Sequence, residues 1–170
     1  MKRIWMICFA VLLLCQATVF AKHNIPEEEF CIGGITPGCT FEYVKNIYGE
    51  PNKKDWQEDW SHAKTPHYYL TYDYAPSLLV TGLPREKSLH GELETTVQFI
   101  TLKDNSLSTP SGLTVGMSYQ IVVDMFGEGV KRTYKGNTWY SYGMGRSAFA
   151  MLFFVDGNGI ITKIRIENEA

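Results

Sequence analysis

The sequence predicts an α+β protein made of two tandem units, each a short helical segment followed by a three- to four-stranded antiparallel meander. Three observations predict it. First, "ITPGCTFEYVKNIYGEP" (35–51) aligns with "LTVGMSYQIVVDMFGEG" (113–129), sharing Thr36/Thr114, Gly38/Gly116 and Gly49-Glu50/Gly127-Glu128. Such self-similarity is the mark of a repeated supersecondary unit. Second, each stretch is followed by short runs rich in β-branched and aromatic residues, the composition of strands. Third, Gly, Asn, Asp and Pro punctuate those runs as turn residues do.

The chain has 170 residues, and its first 21 read as a secretory signal peptide. Lys2 and Arg3 form a positive n-region, residues 4–14 are almost wholly apolar, and Val19-Phe20-Ala21 fits a small-x-small cleavage site. A competing reading places a lipid anchor on Cys15, in "LLLCQ". Leu14 stands where a lipoprotein signal carries a small residue, which favours the ordinary signal peptide. Residues 22–34 form a leader, with Glu27-Glu28-Glu29 solvated. Cys31 and Cys39 are expected to pair as a disulfide, the default in an oxidising compartment. That bridge would add about 2–3 kcal/mol on the loop-entropy account. A redox or metal pair is disfavoured, since the spacing is not Cys-x-x-Cys and no His lies between.

The first unit covers residues 35–102. Thr40 reads as the N-cap of a helix whose apolar face is Phe41, Val44, Ile47 and Tyr48, with Gly49 as a left-handed C-cap. Strands are expected at 67–74, 77–83 and 93–102. Residues 103–112, polar with Pro and Gly, form a linker. The second unit covers residues 113–170. Ser118 caps a helix carrying Tyr119, Val122, Met125 and Phe126, Gly127 ends it, and strands follow at 138–144, 147–155 and 159–167. Asp156-Gly157-Asn158-Gly159 closes the last hairpin.

Alternation along the strands sorts side chains into two faces. Tyr68, Leu70, Tyr72 and Tyr74 should pack on the helices, as should Tyr140, Tyr142, Met144, Ile164 and Ile166. The opposite face should be exposed and carry Tyr69, Thr71, Asp73, Trp139, Ser141, Lys163 and Arg165, with His67 before the Tyr68-Tyr69 pair. Tyr, Trp and Arg are the types that anchor protein interfaces, so this face is the candidate protein-binding surface. A slip of one residue would exchange the two faces.

The motifs together resemble the BamE (SmpA/OmlA) family. "VGMSYQIVVDMFGEG", "WYSYG" and "LFFVDGNGIITKIRI" carry the resemblance, and the tandem arrangement is similar to that of β-lactamase-inhibitory proteins. The resemblance implies a protein-binding role, either in outer-membrane or envelope assembly or as an inhibitor of an envelope or secreted hydrolase. One departure weakens β-lactamase inhibition: His67 stands where the inhibitory proteins place an acid before Tyr-Tyr. An imidazole cannot replace a carboxylate facing a cationic pocket.

The chemistry points away from catalysis. The chain carries 16 Lys+Arg against 18 Asp+Glu, a net charge of −2, which lacks the basic footprint of nucleic-acid binding. His23, His62, His67 and His90 are scattered, with no zinc-ligand spacing. No nucleophile-elbow, His-Glu-x-x-His or phosphate-loop pattern occurs. Asp55, Glu58 and Asp59 read as a solvated run. The expectation is a secreted or periplasmic, non-catalytic protein-binding module without metal or cofactor, whose partner is an envelope assembly component or a secreted enzyme. No transmembrane helix is expected in the mature chain.

Overall fold

The computed structural model describes residues 25–59, 67–84, 87–143 and 149–168. The signal peptide, Cys15, His23, Trp60, His62 and Met144 lie outside the described residues. Among the described residues, no helix is long and apolar enough to cross a membrane.

Eight strands form one continuous sheet: β1 (Lys53–Asp59), β2 (His67–Tyr74), β3 (Leu78–Gly82), β4 (Val97–Leu102), β5 (Val130–Tyr134), β6 (Asn137–Gly143), β7 (Phe149–Val155) and β8 (Ile161–Asn168). Their spatial order is β1-β2-β3-β4-β8-β7-β6-β5. All neighbours are antiparallel. Three α-helices are described: α1 (Phe41–Tyr48), α2 (Leu89–Glu94) and α3 (Tyr119–Phe126). A 3₁₀ turn at Glu27–Glu29 precedes them.

This corrects the expected fold of two separate helix-plus-meander units. β4 pairs with β8, placing Ile100 opposite Ile166, Thr101 opposite Arg165 and Leu102 opposite Ile164. That ladder turns two meanders into one sheet. The reason is edge satisfaction: an apolar edge strand left open exposes unpaired N–H and C=O groups, and pairing removes them.

The remaining edges are β1 and β5, "KKDWQED" and "VKRTY". Sequence reading assigned neither. With Trp56 the one apolar residue of β1, and Val130 and Tyr134 only at the two ends of β5, neither strand shows an alternation to detect, and lysines there discourage pairing with another chain. Every residue of β5 is exposed. The short α2 was also unassigned, and residues 93 and 94, expected in a strand, belong to it.

The helices sit where their caps predict. Thr40 accepts from the Tyr43 N–H at 3.1 Å, and Ser118 accepts from the Gln120 N–H at 3.3 Å. Gly49 and Gly127 end the helices with φ of 75° and 80°, but with ψ of −157° and −179°. They occupy the extended positive-φ region rather than the expected left-handed helical one. That region is open essentially to glycine alone.

Contacts of all three helices run to one face of the sheet. The row Lys54-Tyr72-Val80-Ile100-Ile166-Met151-Tyr142 crosses seven strands on this side. Its members from Tyr72 onward are fully buried. Each buried aliphatic side chain there contributes about 1.5–3 kcal/mol. Phe41 of α1 meets Tyr72 edge-on at 4.5 Å between centroids, and Tyr119 of α3 stacks on Tyr140 at 3.9 Å. On α2, Glu92 is buried and accepts from Tyr72 and from the Lys54 ammonium at 2.6 Å, so the helix is fastened to β1 and β2.

The leader is not the solvated segment the acidic run suggested. Ile25, Phe30, Ile32 and Ile35 are buried in the same core, along with Leu113. Of the three glutamates only Glu29 is buried, and its carboxylate accepts from the backbone N–H and hydroxyl of Ser111 at 2.9 and 2.5 Å. Gly33 donates to the Ser108 carbonyl at 3.1 Å. Leader and inter-helix segment therefore pack on each other. The expected Cys31–Cys39 disulfide is absent: both are half-buried free thiols. The loop between them is already closed by backbone bonds between Ile32 and Ile35 at 2.9 and 3.0 Å, so its shape does not need a bridge. Burial pushes the Cys39 thiol up.

Tyrosine hydroxyls tie helices to strands. Tyr142 donates to the Gly127 carbonyl at 2.8 Å. It has one proton to give, so Tyr119 is the donor in the 2.7 Å Tyr119–Tyr142 pair. The Gly129 N–H then donates to Tyr119 at 3.1 Å. In the other half, Tyr74 donates to the Gly49 carbonyl at 3.1 Å, and Tyr48 donates to the Gly33 carbonyl at 2.5 Å.

Two outcomes follow. A Cβ at Gly129 would lie 2.6 Å from the Tyr142 ring, which its hydroxyl bonds hold in place. Gly129→Ala should therefore cost about 1–3 kcal/mol, the range for overpacking, read as a lower urea midpoint at unchanged m-value. Burial also raises the hydroxyls of Tyr48, Tyr72, Tyr119 and Tyr142, and raises Tyr74 to about 12. The unfolded chain loses these protons first, so their stabilisation is full below pH 10 and is lost as pH rises from there toward 12 and beyond. Urea unfolding from pH 8 to 12 should show a plateau and then a decline, with tyrosinate absorbance appearing late in the folded protein.

Candidate functional site

No described helix packs on the second face of the sheet. One cross-strand row spans all eight strands there: Lys53-Asp73-Leu79-Thr101-Arg165-Leu152-Ser141-Val130. The neighbouring row on the N-terminal side is Asp55-Thr71-Thr81-Phe99, and Gln57 opposes Tyr69 beyond it. Period-two alternation together with antiparallel register brings these residues onto one surface.

The candidate binding residues Tyr69, Thr71, Asp73, Trp139, Ser141, Lys163 and Arg165 all lie on this face, as does His67 at its rim. Their exposure differs from the expectation. His67 is exposed, whereas Tyr69, Thr71, Asp73, Trp139, Lys163 and Arg165 are half-buried. Ser141 is only 7% exposed, between Val130 and Leu152, so it is floor rather than contact surface.

For Tyr69, Thr71, Asp73 and Arg165 the half-burial has a geometric cause. Strands β1, β2, β3, β4 and β8 line an open groove of about 450 Å³. Its floor carries the Thr71–Thr81 hydroxyl pair at 2.8 Å, with Leu79 and Thr101. Tyr69 and Phe99 add aromatic surface, and Lys53, Asp55 and Gln57 line it from the edge strand. Sequence reading missed the contributions of β1, β3 and β4, because nothing local to those strands reports which partner they meet.

The groove charges are paired but incompletely satisfied. Lys103 lies 3.5 Å from Asp73 Oδ1, and Arg165 Nε lies 3.0 Å from Glu167. Both Asp73 Oδ1 and Arg165 Nε are shielded from solvent and make no hydrogen bond. Buried polar atoms are ordinarily hydrogen-bonded, and these two meet their opposite charges only as ion pairs without hydrogen-bond geometry. The Arg165 guanidinium also sits over the Phe99 ring at 5.4 Å.

Toward β5 the face changes character. Trp139 stacks on Phe154 at 5.5 Å between centroids, with an interplanar angle of 28°. The Lys163 ammonium lies 3.7 Å from the centroid of Phe154. Burial first, and the neighbouring Arg165 second, hold Lys163 below the usual lysine range. Among the described residues, no group of three or more His, Cys, Asp and Glu could hold a metal ion.

No protein-family model and no curated protein matches the sequence. Two solved structures share the fold. A cysteine-rich secretory protein from Staphylococcus aureus superposes with a TM-score of 0.55 at 10% identity, covering 88% of this chain and 48% of that one. An extracellular protein containing a SCP domain from Bacillus anthracis gives 0.50 at 11% identity, covering 78% and 44%. The chain thus spans about half the length of these two. A DUF4309-family protein from Bacillus subtilis gives 0.44 at 13% identity, covering 79% and 82%. The Staphylococcus aureus and Bacillus anthracis structures and the single continuous sheet overturn the resemblance to BamE and to the tandem inhibitory proteins. The short Gly-Met-Ser and Asp-Gly-x-Gly motifs mark capped helices and hairpins in general, which is why they misled.

The groove charges should contribute little to folding. Half-exposed ion pairs are worth at most about 1 kcal/mol. Asp73→Asn should therefore change the unfolding free energy by less than about 1 kcal/mol, measured by urea titration at low and high salt.

Proposed function

We propose that this chain is a secreted, non-catalytic module that binds another protein across the helix-free face of its sheet. The observation that carries the reading is the groove itself. A sheet face that is half-buried yet bears no helix, lined by Tyr69, Phe99 and Arg165 and holding under-bonded polar atoms, suits a partner that completes it. Aromatic and Arg side chains supply area together with polar tips, the usual anchors of an interface. The shallow, open form fits a protein surface or chain segment better than an enclosed small molecule, which prefers a deep pocket.

Secretion is supported by the positive n-region, the apolar run and the Val19-Phe20-Ala21 site. The descriptions of two structural neighbours as extracellular and secretory agree with it. The envelope-assembly and hydrolase-inhibitor roles rested on the resemblance the fold overturned, so the proposal keeps only their shared content, binding of a protein partner.

The test is capture of partners by the tagged protein on its native cell surface or medium, with crosslinking and mass spectrometry. One partner should be enriched. Tyr69→Ala and Trp139→Ala should each weaken its binding by tenfold or more while leaving the circular dichroism spectrum unchanged. Unaltered binding by both variants would exclude this face.

A further inference from the structure

The half of the free face toward β5 carries a row unlike the rest. Directly opposed residues on four adjacent strands are Arg132 (β5), Trp139 (β6), Phe154 (β7) and Lys163 (β8). The order is cation, aromatic, aromatic, cation, with no acid in the row. Elsewhere on the face the charges are matched: Lys103 with Asp73, Arg165 with Glu167, and Lys53 loosely with Asp55 at 4.0 Å. Among the described residues, neither Arg132 nor Lys163 forms an ion pair. Lys163 is instead pressed over Phe154, next to a second cation, Arg165, whose charge Glu167 already meets.

Lys163 is half-buried and Arg132 exposed, and the acid whose charge reaches Lys163, Glu167, is already held by Arg165, so a further negative charge beside Lys163 is favourable. We propose that this row is the docking site for an acidic segment of the partner protein, lying extended across the strands with an acid at each end and an apolar residue between. The inference rests on the protein-binding reading and adds the partner's chemistry.

The spacing supports this pattern. Three strand spacings of about 4.8 Å separate Arg132 from Lys163 by about 14 Å. Four residues of extended chain, at about 3.4 Å each, also span about 14 Å, and residues four apart point the same way. The segment therefore reads acid-x-apolar-x-acid, its central side chain resting on the Trp139–Phe154 pair. A polyanion with evenly spaced charges would set anions over the negative ring faces, which the rings disfavour.

Fluorescence anisotropy titration of the purified protein with glycine-flanked, labelled peptides tests the proposal. Glu-Ser-Phe-Ser-Glu should bind at least tenfold more tightly than Lys-Ser-Phe-Ser-Lys, and at least tenfold more tightly than Glu-Glu-Phe-Ser-Ser. The double variant Arg132→Glu/Lys163→Glu should reverse the first preference, an outcome that misfolding cannot produce. Equal binding of the glutamate and lysine peptides, or no effect of acid spacing, would overturn the proposal. So would full competition by phosphatidylglycerol vesicles at equal charge concentration, which would point to a membrane surface. If the peptides fail while Tyr69→Ala and Trp139→Ala still lose the captured partner, the binding face stands and only its acidic chemistry falls. If those variants also bind normally, both readings fall together.

Discussion

The β4–β8 ladder is the constraint on which the rest of this structure depends. Pairing Ile100, Thr101 and Leu102 with Ile166, Arg165 and Ile164 joins two meanders at what would otherwise be two apolar edges. On one side it makes a single buried surface for the helices. On the other it sets Arg165 beside Thr101 and within reach of Phe99, so that the groove acquires a second cation, besides Lys53, from the far end of the chain. Without this ladder, neither the groove nor the row from Lys53 to Val130 would exist.

The helix side solves a polar problem as well as an apolar one. Its core contains buried tyrosine hydroxyls, a buried Glu92 and a buried Glu29. Most of these polar atoms find a partner that also fixes a segment: Glu92 holds α2, Glu29 holds Ser111, and Tyr142 and Tyr74 hold the carbonyls of the helix-ending glycines. Satisfying a buried polar group by joining two elements gives the core a unique arrangement that apolar contact alone does not specify. Glu29 Oε2 on the helix side is left without a hydrogen bond, as are Asp73 Oδ1 and Arg165 Nε on the free face. The helices pack on the first face and no described helix packs on the second, which is the physical basis for proposing the second as the recognition face.

The free face is itself divided. Matched charges and threonine hydroxyls occupy the half built by β1 to β4, whereas unmatched cations flank stacked aromatics in the half built by β5 to β8. Ion pairs on the first half are half-exposed and screened, so they shape the groove more than they stabilise it. On the second half, Lys163 is held against a ring rather than against an acid. That difference gives the surface a direction, in which a partner would be oriented as well as held.

The sequence by itself determined the local features. Thr40 and Ser118 announce helix starts because a hydroxyl there meets a free N–H, and period-two alternation placed Tyr69, Thr71 and Asp73 opposite Leu70 and Tyr72. Other features were illegible for stated reasons. The edge strands β1 and β5 carry too few apolar residues to show an alternation, the leader's acidic run masked the buried Ile25 and Phe30, and short repeated motifs suggested a family that the fold does not share. Only the tertiary structure decided that the two halves form one sheet, that Tyr69, Thr71, Asp73 and Arg165 line a groove, and that Arg132, Trp139, Phe154 and Lys163 stand in one row. Local sequence reports the periodicity of a strand, but the choice of a partner some sixty residues away depends on which edges remain to be satisfied once the whole chain has packed.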